Sequence, residues 1–392
     1  MKKKLLILFS LTLFMTSCDA NKPKPNSTSQ GSFNESENLS LPEEVIKNKN
    51  IILFIGDGMG NSHVNALSYL YKNQVSFINF DSICQMDTNS LDTNFLPTKL
   101  TDSSASGTAM ATGVITINGY VGKDKDGNDL KTIMDISKGK SYRTGIITTD
   151  YLYGATPASF SSHSLSRKYY EEIVLNQSYC DINYLLGLKD DLYLDTYRQN
   201  FIDNGYVIND DFSKESELFN EDKLLLQYDI IGGGKTVHFK DCVKNALDYL
   251  TQDETKPFIL VAEQAHIYKK SHSNDFEGMV TNITEFNEGI NYAFEKFKNK
   301  KDTVIIVTAD HETGGLLVSE DNIYPNSYTC LENNKTIYYE FTTKDHTNKT
   351  IGTYIFNHEP KYEMYPFYHN RGIIKNSELF SIMNDIIVND VI

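Results

Sequence analysis

Three apolar runs in this chain each hand over to residues that can do chemistry. After Ile51–Ile55 come Gly56, Asp57, Gly58, Met59 and Gly60; Phe258–Ala262 is followed by Glu263; Val304–Thr308 is followed by Ala309, Asp310, His311 and Glu312. One acid after a strand is ordinarily a cap or a solvated turn. Three strands each delivering one would bring carboxylates and an imidazole onto a common rim. Such a cluster repels itself unless cations sit within it, which is the chemistry of a hydrolytic metal site. A fourth segment, Thr101-Asp102-Ser103-Ser104-Ala105-Ser106-Gly107-Thr108-Ala109-Met110-Ala111-Thr112-Gly113, offers a hydroxyl nucleophile. Its small residues allow a tightly packed helix beginning near Ser103, whose hydroxyl and free N–H groups would face a phosphate-like anion favourably. Taken alone, the same serine reads as an ordinary N-cap. The glycine-rich turn after Ile55 matches neither nucleotide-binding glycine fingerprint.

The elements that must position these groups are legible in the hydrophobic pattern. Ile51–Ile55, Thr144–Thr148, Pro257–Ala262 and Thr303–Thr308 are rich in β-branched residues and apolar on both faces, as buried parallel strands are. Between them lie helical periods. The clearest carries Met279, Ile283, Phe286, Ile290, Phe294 and Phe297, at spacings of 4, 3, 4, 4 and 3, on one face of a helix. This alternation predicts an α/β fold with a mostly parallel central sheet and helices on both faces. In such sheets ligands bind beyond the carboxyl ends of the strands, where Asp57, Glu263, Asp310 and His311 fall.

The 392 residues include 37 basic and 52 acidic side chains, a net charge of −15. That balance argues against a nucleic-acid binder, which needs a basic surface to neutralise phosphates. It leaves room for small anionic substrates, because a local metal cluster or an arginine reverses the field inside one cleft. Hydrophobic residues at 40% and charged residues at 23% are those of a globular protein. Lys2, Lys3 and Lys4 precede an apolar run from Leu5 to Met15, about half the ~20 residues that span a bilayer. Residues 1–17 therefore read as an export signal, and Met-Thr-Ser-Cys resembles a bacterial lipoprotein cleavage box that ends at Cys18. Acylation of Cys18 would anchor the protein to a membrane at the bacterial cell envelope. Residues 18–48 are rich in Asn, Ser, Pro and Lys and read as a flexible tether, which leaves 49–392 as the folded domain. Cys84, Cys180, Cys242 and Cys330 are too widely spaced to indicate a pairing.

Taken together, the segments resemble the alkaline phosphatase family. The matching pieces are Ile-Gly-Asp-Gly-Met-Gly (55–60), Thr-Asp-Ser-Ser-Ala-Ser-Gly-Thr-Ala (101–109), Ala-Thr-Pro-Ala-Ser-Phe-Ser-Ser-His (155–163) and Ser-Arg-Lys (166–168). Ile-Gly-Gly-Gly (231–234), Thr-Ala-Asp-His-Glu-Thr-Gly-Gly (308–315) and His346-Thr347 follow in family order. The resemblance implies phosphate monoester hydrolysis through a phosphoserine at Ser103, with two zinc ions and an adjacent magnesium. Asp57 would bridge the second zinc and the magnesium. Asp310 and His311 would complete the second zinc site, His272 and His346 would serve the first, and Thr156 and Glu263 would hold magnesium. Arg167 would grip two phosphate oxygens, with Asp102 orienting it or the neighbouring backbone. Small phosphorylated substrates and a homodimer are also implied.

Two positions depart from the pattern. The family has an aspartate five residues after the magnesium glutamate, as a ligand of the first zinc; here that residue is Tyr268. Tyr268 could ligate as a phenolate, His266 could substitute after a local shift, or the site could bind metal weakly. Gly154 stands where the family has aspartate or histidine supporting the third metal, and Asp150 is a nearby carboxylate. The segment from His311 to His346 is short, which predicts small insertions over the site. His63, His163, His238, His358 and His369 read as packing or surface residues. Two other functions fit parts of the pattern: a related phosphodiesterase, and a degenerate lipoprotein that binds phosphorylated ligands without turnover. Ser103 and Arg167 count against both.

Overall fold

Ile51–Ile55 and Val304–Val307 expose no surface, and Ile259–Ala262 almost none. Strands apolar at every position need cover on both faces, which a parallel sheet between two helical layers supplies. The computed structural model of the protein describes residues 50–72, 74–98, 100–229, 237–357 and 372–388, all within one compact unit. The export segment 1–17, Cys18, the tether 18–48, the match at 231–234, His358 and His369 lie outside the described residues.

Among the described residues the main sheet has ten strands. In spatial order they are Ile373–Lys375, Ser82–Asp87, Ile351–Asn357, Thr303–Thr308, Asn50–Gly56, Phe258–Gln264, Arg143–Thr148, Tyr184–Leu188, Leu224–Tyr228 and Val207–Asn209. Only Ile351–Asn357 runs against its neighbours; every other pairing in this sheet is parallel. The four strands expected from the sequence are all present and form its centre.

The helices pack in two groups. Asn61–Leu70, Phe239–Leu250, His266–His272 and Phe276–Phe297 make one, and Ser103–Thr112, Ile133–Gly139, Ala155–Ser161 and Asn376–Val388 the other. Phe54 shows how the first is held: its ring meets Phe239 and Phe286 edge-on at 6.4 and 6.0 Å. Full burial of such a side chain contributes about 1.5–3 kcal/mol. The predicted helix runs Phe276–Phe297, opened by Asp275, whose side chain accepts from the Gly278 N–H at 2.9 Å. Its stripe is core as expected, although Phe294 is only half-buried, against Phe80 and Phe356.

The helix Ser103–Thr112 is buried at every residue, which explains its small side chains. Asp102, not Ser103, is its N-cap, accepting from the Ala105 N–H at 2.9 Å. The capping reading of Ser103 is therefore set aside, and the hydroxyl is left for another use. Between His311 and His346 the chain makes a small antiparallel sheet of Leu317–Ser319, Thr336–Glu340 and Asn326–Thr329. Cys84, Cys180, Cys242 and Cys330 are free thiols. Among the described residues, no helix is long and apolar enough to cross a membrane.

Candidate metal centre and nucleophile

Strand register sets the site. Ile55 pairs with Thr308 on one side and with Glu263 on the other, and Glu263 pairs in turn with Thr148. Asp57 and Asp310 each lie two residues beyond that line, so equal offsets from paired residues bring their carboxylates together. His311 follows directly. One side-chain atom from each of Asp57, Asp310 and His311 falls within 4.8 Å of the others. Among the described residues, no other three His, Cys, Asp or Glu side chains gather in this way.

The donors suit a cation. Asp310 Oδ1 accepts the N–H groups of Gly58 and His311 at 3.0 and 2.9 Å, which fixes the carboxylate. Its Oδ2 has no hydrogen-bond donor and stands 3.2 Å from His311 Nε2. Asp57 Oδ1 and Thr156 Oγ1 are likewise buried without a hydrogen-bond partner. An orphaned buried oxygen costs about 1–3 kcal/mol, more when charged, so the two in the Asp57–Asp310–His311 cluster point to a ligand that accepts their lone pairs. Burial pushes the Asp57 pKa well above the carboxylate range, and the Asp310 and Glu263 charges push it further. Burial also lifts Glu263 to about 7, against hydrogen bonds from Thr148 and Thr156. For Glu263 the Thr148 Oγ1 bond, at 2.5 Å, is the firm one, since Thr156 makes no hydrogen bond of ordinary geometry. These directions belong to the polypeptide alone; a bound cation inverts them.

Ser103 opens its helix with the hydroxyl 3.1 Å from His311 Nε2. Thr313 Oγ1 meets the other nitrogen, Nδ1, at 3.2 Å, and burial holds the His311 pKa down at about 3. The imidazole is therefore neutral, and an Nδ1–H donated to Thr313 leaves the Nε2 lone pair toward Ser103. Asp102 caps the helix, and its Oδ2 accepts from Arg167 Nη1 at 3.2 Å. Burial works to raise the Asp102 pKa, but Arg167 and the Ala105 N–H outweigh it and the group lies below its ordinary value. Arg167 stays charged beside the serine, its backbone N–H held by the Gly119 carbonyl at 2.8 Å.

Tyr268 and His272, one helical turn apart on His266–His272, form the second wall with His346. His346 arrives by pairing: Glu312–Thr313 runs antiparallel to His346–Thr347, with Thr313 opposite His346. Gly58, at φ +71°, lets the turn after the first strand pass beneath; a Cβ there would lie 3.1 Å from Tyr268 Cα. At Gly154 a Cβ would sit 2.8 Å from the Tyr151 carbonyl, so a side chain fits there only with a backbone shift. Asp150 lies near Glu263 instead, ion-paired to Lys269 at 2.7 Å, with its Oδ1 buried and lacking a hydrogen-bond partner.

Most of the supporting residues carried no signal in the sequence. Thr148 holds Glu263, Thr101 O holds His346 Nδ1 at 2.7 Å, and Ser106 Oγ donates to Asp310 O at 2.7 Å. Lys269 and His63 belong with them. Only Thr148, the last residue of a buried run in line with Glu263, could have been anticipated.

Fold and site define a class: an open α/β sheet that gathers carboxylates and imidazoles beside a helix-borne serine at its strand ends. The sequence profile described as Alkaline phosphatase matches residues 48–194 and 216–366. Alkaline phosphatase 3 of Bacillus subtilis (strain 168) is 33% identical over 302 residues, 70% of this chain and 63% of that protein. The match thus spans less than two thirds of that relative's length. The alkaline phosphatase of Escherichia coli (strain K12) is 28% identical over 352 residues, 72% of this chain and 74% of that protein. The structure of the alkaline phosphatase from the Antarctic bacterium TAB5 superposes with a TM-score of 0.75 at 25% identity, covering 87% of this chain and 98% of that one. The chain belongs to the alkaline phosphatase family.

Proposed function

We propose that this protein hydrolyses phosphate monoesters through a phosphoserine at Ser103, with small phosphorylated molecules as substrates. The observation that carries the reading is the Ser103 hydroxyl at a helix N-terminus, 3.1 Å from the imidazole of the Asp57–Asp310–His311 cluster. Asp57, Asp310 and His311 would hold one zinc ion, His272 and His346 would serve a second, and Asp57, Thr156 and Glu263 would hold magnesium. Such cations, when bound, lower the pKa of the serine hydroxyl and neutralise charge on the phosphate. Arg167, kept in place by Asp102, binds two phosphate oxygens through its planar fork. The N–H groups of the Ser103 helix add a positive field. Ser103 Oγ gives up its proton and attacks phosphorus in line; its bond to phosphorus forms as the bond from phosphorus to the ester oxygen breaks, and that oxygen takes up a proton from solvent to depart as the alcohol. Water then attacks the phosphoserine, releasing inorganic phosphate and restoring the hydroxyl. The basic start, the apolar run and Cys18 support export and lipid anchoring at the cell envelope.

The test assays the full chain on an aryl phosphate monoester while zinc and magnesium are titrated into chelator-treated protein. Metal-dependent turnover that Ser103→Ala abolishes is the expected result, together with a phosphorylated peptide containing Ser103 after acid quench. Turnover unaffected by Ser103→Ala would sink the reading.

A further inference from the structure

The wall opposite the carboxylate cluster is made of three rings. Tyr268 lies 4.3 Å from His272 and 5.5 Å from His346 between centroids, and the two imidazoles are 5.5 Å apart. Each histidine is held the same way. His346 Nδ1 lies 2.7 Å from the Thr101 carbonyl, and His272 Nδ1 bonds to the Lys344 carbonyl. A carbonyl only accepts, so both Nδ1 atoms carry the proton and both Nε2 atoms present a lone pair. Imidazoles tied to a backbone carbonyl at one nitrogen are the usual arrangement of metal ligands, because the tie fixes tautomer and ring direction.

Two imidazoles do not hold a cation firmly, and the third donor beside them is Tyr268. Its Oη stands 3.3 Å from His346 Nε2, the one hydrogen-bond partner it has among the described residues. That separation also matches the edge of a tetrahedron with metal bonds of about 2.0–2.1 Å, which is about 3.3–3.4 Å. The same spacing recurs in the first cluster, where His311 Nε2 lies 3.2 Å from Asp310 Oδ2. His266 is no substitute: on the same helix it points about 160° away from Tyr268 and about 120° away from His272.

We propose that Tyr268 is a metal ligand, forming with His272 and His346 a site of two imidazoles and one phenolate for a divalent cation such as zinc. This inference rests on the metal-dependent reading of the neighbouring cluster and names what completes its second half. Binding exchanges the phenol proton for the metal: the oxygen–metal bond forms, the O–H bond breaks, and the proton leaves to solvent. The hydrogen bond from Tyr268 to His346 is given up at the same time, and both atoms turn to the cation.

The experiment titrates zinc into the chelator-stripped full chain, counting bound metal by atomic emission and following the near-ultraviolet difference band of tyrosinate. Wild type is expected to develop the band with one of its zinc equivalents. Tyr268→Phe should lose the band and bind one equivalent fewer, or bind it at least about 10-fold more weakly. Tyr268→Asp should lose the band yet keep the equivalent, which separates lost ligation from lost folding. Zinc bound without any tyrosinate band, or Tyr268→Phe matching wild type in stoichiometry and affinity, overturns the inference and leaves the Asp57 cluster intact. A chain that binds no zinc overturns both.

Discussion

The imidazole of His346 lies over that of His311, centroids 3.7 Å apart and planes inclined by 25°. One ring belongs to the end of a central strand and the other to a segment that returns after the small antiparallel sheet. What brings them together is the short pairing of Glu312–Thr313 with His346–Thr347, pinned by the Thr347 hydroxyl on the buried Glu312 carboxylate. The Asp57–Asp310–His311 cluster and the wall that carries His346 are thus joined by two pairs of residues.

Thr347→Val tests that joint. It removes a donor from a buried carboxylate whose other oxygen is held by the Leu316 N–H at 3.1 Å. A hydrogen bond to a charged group contributes about 1.5–3 kcal/mol, and a loss of that size should appear in chemical denaturation. Zinc affinity at His346 should fall while affinity at Asp57 holds. Equal weakening of both sites would show that the pairing does not position His346 separately.

Asp57→Asn should separate stability from metal binding. The Asp57 carboxylate is buried against Asp310 and near Glu263 with no donor on its Oδ1, so neutralising it relieves repulsion in the metal-free protein. The melting temperature without metal should rise, while the increase that zinc gives to wild type should disappear. A variant less stable than wild type without metal would show that the carboxylate has a structural partner.

Arg167→Lys keeps a positive charge and loses the fork. The guanidinium bonds Asp102 at 3.2 Å through Nη1 and has further donors in a planar fork, an arrangement an ammonium cannot reproduce. A drop in kcat/KM of about 10–100-fold is expected, the size of one charge-assisted hydrogen bond. Activity within twofold of wild type would remove Arg167 from phosphate binding.

The sheet was legible because parallel strands buried on both faces read as unbroken β-branched runs, and Ile51–Ile55 and Thr303–Thr308 are such runs. The carboxylates were legible because they follow those runs directly. Two kinds of information were not. The N-cap went to Asp102 instead of Ser103: its carboxylate accepts from the Ala105 N–H and also gathers Arg167, a distant contact no local pattern carries. The residues that hold the site side chains, such as Thr101 and Ser106, act through one carbonyl or one hydroxyl whose use depends on tertiary approach.

Lys269 bears on the proposed magnesium site. Its ammonium pairs with Asp150 at 2.7 Å, while Gly154 has no room for a carboxylate of its own. Lys269→Met removes a cation competing for Asp150, so magnesium should bind about 10-fold more tightly, the reverse of a typical loss of supporting contacts. Gly154→Asp should instead destabilise the fold by about 1–3 kcal/mol, through the Tyr151 carbonyl, without improving magnesium affinity. Magnesium titration followed by thermal shift reads both; unchanged affinity in Lys269→Met would mean Asp150 is not available to the cation.

His63 gives the pH prediction its sign. Its Nδ1 accepts from the Gly60 N–H at 3.1 Å, so Nε2 carries the proton and donates to Ser271 Oγ at 2.9 Å, which in turn donates to Ile267 O at 2.8 Å. This relay ties the turn that bears Asp57 to the helix that bears Tyr268 and His272. Burial first, and the Lys349 charge second, hold the His63 pKa at about 3 against an ordinary 6.5. Below 6.5 the unfolded chain takes up a proton that the folded one refuses, so the stability present above that pH is lost as pH falls toward 3. The slope from this residue reaches at most about 1.4 kcal/mol per pH unit. His63→Gln keeps a donor toward Ser271 and cannot titrate, so its denaturation free energy should fall less steeply than wild type across that window. Parallel pH profiles for the two proteins would mean that His63 is protonated in the fold, and the tautomer assigned to the relay would then be wrong.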